Sequence, residues 1–129
     1  VKRCKKLITY AALFVLCLLI LIPISHAQEK IGAEDAHKYV GQTKTVCGVV
    51  ASTFYSYRSR GHPTFLNLNK PHPNQILTIV IWGSDRGKFT NPPERFFKGK
   101  PVCVTGLIET YGGKPEIVVH DPSQIRIGE

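Results

Sequence analysis

Several short runs of this chain alternate apolar and polar residues, and β-branched side chains dominate them. Residues 43–53 (TKTVCGVVAST) are small and β-branched, the composition of a strand, with Gly48 marking a bulge or bend. Residues 64–69 set Leu66 and Leu68 on one face against Phe65 and Asn67 on the other. Residues 76–82 set Leu77, Ile79 and Ile81 against Thr78, Val80 and Trp82. The Pro/Asn-rich stretch 70–75 joins these two runs as a hairpin loop. Residues 101–109 and 115–120 read as a fourth and a fifth strand. Between them Tyr111-Gly112-Gly113-Lys114 is a tight turn, its glycines supplying the positive φ that hairpins need.

Two stretches break the strand pattern. Residues 33–40 have helical character, with Glu34 and Asp35 in the first turn and Gly41 placed as the C-terminal cap. Pro93 suits the first turn of a short helix over 94–98. Phe89 and one of Phe96 or Phe97 are expected to plug an apolar space, and Ile125 and Ile127 to pack from the tail. The order is helix, three strands, short helix, two strands. Five strands are too few for two sandwich sheets. A small closed barrel handles its edges better, and Gly48 and Gly106 supply the bends. The expected fold is therefore mainly β: a five-stranded OB-fold barrel, with a short N-terminal helix and a short helix between strands three and four.

The first 27 residues follow a different pattern. Lys2, Arg3, Lys5 and Lys6 precede an apolar run over 7–24, and Ser25-His26-Ala27 offers a small-residue cleavage site. This is the form of a secretory signal peptide, with a periplasmic or secreted location as its consequence. An uncleaved membrane anchor is the competing reading, because the apolar run approaches bilayer-spanning length. Residues 28–129 then form the single folded domain. The whole chain carries 17 Lys and Arg against 9 Asp and Glu, net +8. Without residues 1–27 there are 13 against 9, or +4. That mild basicity favours an anionic partner without proving one. Cys4 and Cys17 fall in the same segment, leaving Cys47 and Cys103. An even pair in an exported chain reads as a disulfide, with two buried thiols as the alternative. The first and fourth strands, which carry the pair, are neighbours in an OB-fold.

Several sequence runs are familiar. Val46-Cys47-Gly48-Val49-Val50-Ala51, PTFLNLN (63–69), VIWG (80–83), CVTG (103–106), YGGKPEI (111–117) and DPSQI (121–125) resemble a family of small exported bacterial OB-fold proteins. Members are described as nucleic-acid-binding-like and occur beside thermonuclease-type domains. The resemblance spans about residues 33–125 and implies the fold more specifically than a function.

An OB-fold binds oligonucleotides or oligosaccharides on the face of strands two and three, framed by the 1–2 and 4–5 loops. Single-stranded nucleic acid needs cations along its phosphates and flat rings beneath its bases. Arg58, Arg60, Lys70 and Lys114 are the candidate cations; Tyr55, Tyr57, Phe65, Trp82 and Tyr111 are the candidate rings, with Asn67 among the outward polar groups. The expected partner is single-stranded nucleic acid or another polyanion. A periplasmic protein or glycan on the same face is the alternative, and a membrane partner arises only if the N-terminal segment stays uncleaved. No catalytic constellation is legible. The five histidines are scattered, no Ser/His/Asp or Cys/His set is indicated, and Glu109 and Glu116 face each other across the Gly-Gly turn without an evident cleft. Neither an enzyme, a metal site nor a cofactor is expected.

Overall fold

The structure, a computed structural model, describes residues 29–128. The expected export segment lies outside the described residues. Among the described residues no helix is long and apolar enough to cross a membrane.

One mainly β sheet carries the chain. Its strands are β1 (Lys30–Gly32), β2 (Thr43–Tyr55), β3 (Thr64–Leu68), β4 (Leu77–Ile81), β5 (Pro101–Leu107), β6 (Glu109–Tyr111), β7 (Lys114–Val118) and β8 (Ile125–Ile127). A 3-10 helix, Ala33–Tyr39, takes the place of the expected N-terminal helix. Two single-turn helices, α1 (Gly83–Arg86) and α2 (Pro93–Phe96), lie between β4 and β5. Pro93 sits in the first turn of α2, and Phe97 is the aromatic plug, 5 % exposed with Phe89 edge-on at 6.3 Å.

The strand order is β6-β7-β4-β3-β2-β5-β8, with β1 parallel to β2. β2 is long enough to serve both halves: residues 50–55 pair with β3 and residues 43–49 with β5. The two halves bend around one core of Val46, Val50, Leu66, Leu68, Leu77, Ile79, Val102, Val104 and Ile117. Burying such side chains contributes about 1.5–3 kcal/mol each relative to exposure.

Three expectations need correction. Eight strands are present among the described residues, not five, because β1, β6 and β8 are too short to show a period. The fourth strand stops at Leu107 rather than Glu109. Ile108 is fully buried and bonds the chain at residues 41 and 42 instead, with its carbonyl accepting from Gly41 N at 2.7 Å and its amide donating to Gln42 O at 2.9 Å. The sheet is also not closed into a barrel. No ladder joins β5 to β7; their crossing is held by packing and by one side chain. Gln124 accepts from His120 N at 2.8 Å and donates to Thr105 O at 3.1 Å.

Gly106 lets the two strands cross. A Cβ there would lie 2.6 Å from Cγ2 of Ile117, a stiff branched side chain in the core. Gly106→Ala is expected to cost about 1–3 kcal/mol by overpacking. Urea unfolding checks this, and a variant as stable as the parent would show that β7 gives way freely.

Candidate functional site

Strand register builds the site. Across the outer face, Ser52, Asn67, Thr78, Glu116 and Glu109 form one continuous row from β2 through β3, β4 and β7 to β6. The next outward row is Phe54, Phe65, Val80 and Val118. Trp82 follows β4 in extended conformation and carries the same alternation one step further. From Thr78 to Trp82 this face runs about 13 Å along the strands.

The first row is the floor of a cleft of about 640 Å³, within the usual size range of small-ligand pockets. Phe54 and Phe65 stand at one side, Tyr111, Lys114 and Pro115 at another, and His72 and Gln75 close it from the β3–β4 loop. Lys114 Nζ donates to the carbonyl of Pro73, so the β6–β7 hairpin and the β3–β4 loop are tied together. The floor is a chain of polar contacts. Asn67 Nδ2 donates to Ser52 Oγ at 3.1 Å, Gln75 Nε2 to Thr78 Oγ1 at 3.1 Å, and His72 N to Ser52 Oγ at 3.1 Å. Gln75 Oε1 is buried and has no hydrogen-bond partner among the described residues. Burial pushes the Glu116 carboxyl above the ordinary range, and the neighbouring Glu109 charge adds to the shift.

The sequence candidates separate into three groups. Phe65, Asn67, Tyr111 and Lys114 meet in the cleft. Asn67, Thr78 and Val80 were expected to face outward; they do, yet they are 3 %, 8 % and 1 % exposed, because neighbouring side chains and loops cover them. Tyr57, Arg58, Arg60 and Trp82 gather at the other end of the face. Trp82 packs on Gly61: a Cβ at residue 61 would lie 2.9 Å from Trp82 Cε3, and φ there is +78°. Only glycine meets both demands. Trp82 stays 39 % exposed and Tyr57 58 %. The Arg58 guanidinium lies 5.3 Å from the Tyr57 ring centroid, and Arg60 is exposed. Lys70 is exposed at the start of the β3–β4 loop.

Tyr55 does not join the platform. It pairs with buried Thr64 on the core side of β2, under the Arg86 guanidinium at 3.7 Å. Sequence reasoning also missed Phe54, a strand ring left 61 % exposed, and set Glu116 aside for want of a cleft, whereas it lines this one. The β2–β3 register sets Phe54 opposite Phe65, and the β4–β7 register sets Glu116 opposite Thr78.

A second polar cluster lies away from the cleft. Asp85 accepts from Lys88 at 2.8 Å and from His120 Nδ1 at 3.0 Å. Those two contacts, the lysine's first, hold the Asp85 carboxyl below its usual range. Lys88 also donates to the His120 carbonyl at 2.9 Å, so the arrangement ties the α1 segment to the chain just after β7. Among the described residues no three His, Cys, Asp or Glu side chains cluster as metal ligands. Cys47 and Cys103, opposite each other on β2 and β5, form a disulfide.

No protein-family model and no curated protein matches the chain. Among solved structures it is similar to an aspartyl-tRNA synthetase from Entamoeba histolytica, at 15 % identity over 80 % of this chain and 22 % of that one, TM-score 0.52. It is also similar to a protein described as an aspartyl-tRNA synthetase from Leishmania major Friedlin, at 12 % identity over 82 % of this chain and 22 % of that one, TM-score 0.50. An OBody, AM1L10, bound to hen egg-white lysozyme aligns at 18 % identity over 71 % of this chain and 83 % of that one, TM-score 0.48. The chain spans about a fifth of the length of the two synthetases. At these identities the likeness concerns the fold alone, that of an OB-fold domain.

Proposed function

We propose that this chain is a non-catalytic binding protein for single-stranded nucleic acid, engaged by the outer face of β2, β3 and β4. One observation carries the reading: a single face holds Phe54, Phe65, Trp82 and Tyr111, with Tyr57, Arg58 and Arg60 at one end and Lys70 and Lys114 at the other. Rings for stacking beside cations for phosphates are the two requirements of single-strand binding. The synthetases sharing the fold act on tRNA by name, which supports a nucleic-acid partner coarsely. The disulfide supports an exported location, since such bonds persist in oxidising compartments.

The test is fluorescence anisotropy with a labelled oligothymidylate between about 50 and 200 mM salt. Affinity is expected to fall linearly on a log–log plot, each neutralised phosphate adding about 0.7 to the slope. Arg58→Ala with Arg60→Ala lowers the slope by about 1.4. Phe54→Ala weakens binding about tenfold with the slope kept, because stacking carries no counterion release. Salt-independent binding, or none at low salt, rejects the reading and leaves a protein or glycan ligand for the face.

A further inference from the structure

A carboxylate, Glu116 on β7, stands beside the β4 edge of the proposed face, and a phosphate is repelled there. Glu116 shares its row with Thr78 and Asn67 and lines the cleft with Phe54, Phe65 and Tyr111. Its anion is already disfavoured by burial and by Glu109 opposite. A ligand that turns N–H donors toward both carboxylate oxygens relieves that cost. The four bases differ on this point. Guanine alone presents two adjacent donors on one edge, N1–H and the 2-amino group. Adenine and cytosine set their amino group beside a ring-nitrogen acceptor, and thymine and uracil flank N3–H with two carbonyl oxygens that oppose a carboxylate.

Resting on the single-strand reading above, we propose that the cleft is a guanine pocket. One unstacked guanine lies among Phe54, Phe65 and Tyr111 and donates N1–H and one 2-amino hydrogen to the Glu116 carboxylate. Gln75 supplies an independent pointer. Its amide nitrogen is engaged by Thr78 while its carbonyl oxygen is buried without a donor. A buried acceptor without a partner is costly. Rotation of that amide, which gives up its Thr78 contact, brings the oxygen into the cleft for the second 2-amino hydrogen. Asn67, Ser52 and Thr78 are bonded to one another and to the β3–β4 loop, so they shape the floor and leave the selection to Glu116 and Gln75.

The experiment compares oligothymidylates carrying one central guanosine, inosine, adenosine or cytidine, at one low salt concentration and at a pH well above the carboxylate range. The guanosine oligonucleotide is expected to bind about tenfold tighter than the all-thymidine parent, the scale of one good bidentate base contact. Inosine keeps N1–H and lacks the 2-amino group, so it loses most of the gain without any change to the protein. Glu116→Gln, checked for folding by its thermal transition, brings the guanosine oligonucleotide down to the level of that variant's other ligands. Equal binding of all four by the wild-type protein, or a guanine preference that survives Glu116→Gln, overturns the pocket and leaves the single-strand reading standing. Absence of binding to every oligonucleotide overturns both. Displacement by an arginine-bearing peptide, with no base preference, overturns the pocket in favour of a protein ligand.

Discussion

Replacing Cys47 and Cys103 together with alanine lowers the thermal midpoint by about 20 °C, on the usual scaling of stability to melting temperature in a domain of this size. The two cysteines lie directly opposite on β2 and β5, 56 residues apart in sequence. Closing a loop of that length removes conformational freedom from the unfolded chain worth about 4 kcal/mol in the chain-entropy model. The enclosed segment contains β3, β4, α1 and α2, and therefore most of the candidate face. In the native state the register is held independently, since Thr45 and Thr105 two residues along share a hydroxyl hydrogen bond at 2.8 Å. The variant is thus expected to fold to the same structure with lower stability, and a reductant acting on the unaltered protein to produce the same shift. Differential scanning calorimetry with and without a phosphine reductant measures it. Identical midpoints for oxidised and reduced protein would show that the staple contributes nothing.

The contrast between what the strands reveal and what the cleft conceals has a physical origin. Leu66 and Leu68 against Phe65 and Asn67 is a period-two signal, and period two fixes which residues face the core. It does not say how deeply the other face is covered. Asn67 and Thr78 are nearly buried because the β3–β4 loop and the β6–β7 hairpin close over them, tied by Lys114 and Pro73. That contact joins residues 41 apart in sequence, and no local pattern encodes it. Tyr55 misleads for the opposite reason. The strand was expected to end at Thr53, which would leave Tyr55 in a loop with Tyr57; two further residues of ladder turn it toward the core. The same extension brings Phe54 opposite Phe65 and makes it part of the face. The seam between β5 and β7 was hidden because closure depends on whether two strands hydrogen-bond or merely cross, and Gly106 against Ile117 permits the crossing.

Arg86→Ala is expected to destabilise the domain by about 3 kcal/mol, the low end for breaking a buried ion pair. Three contacts converge on this guanidinium. It grips Glu94 with two hydrogen bonds, at 2.7 and 2.9 Å, donates to the hydroxyl of fully buried Thr64 at 2.8 Å, and covers the Tyr55 ring. The partners retain 19 % and 18 % side-chain exposure, so some water relieves the loss and the low end applies. The pH dependence distinguishes this from simple loss of packing. The hydrogen bond from Arg86 holds the Glu94 carboxyl below its ordinary range against the opposing pull of burial. A carboxylate with a depressed folded pKa adds stability that is present above its unfolded value and is lost as pH falls through the folded one. Without Arg86 that carboxyl loses the largest contact depressing it, so the variant loses less than the parent on protonation. The stability gap between parent and variant should therefore narrow as the solution is acidified through the carboxylate range. Urea unfolding at neutral and at acid pH measures the gap directly. Arg86→Met combined with Glu94→Leu should recover much of the loss, because an apolar pair carries no stranded charge. A gap that stays constant with pH, or a loss on the scale of an exposed surface pair, would show that the Arg86–Glu94 contact is solvated and adds little to the joining of α1 and α2.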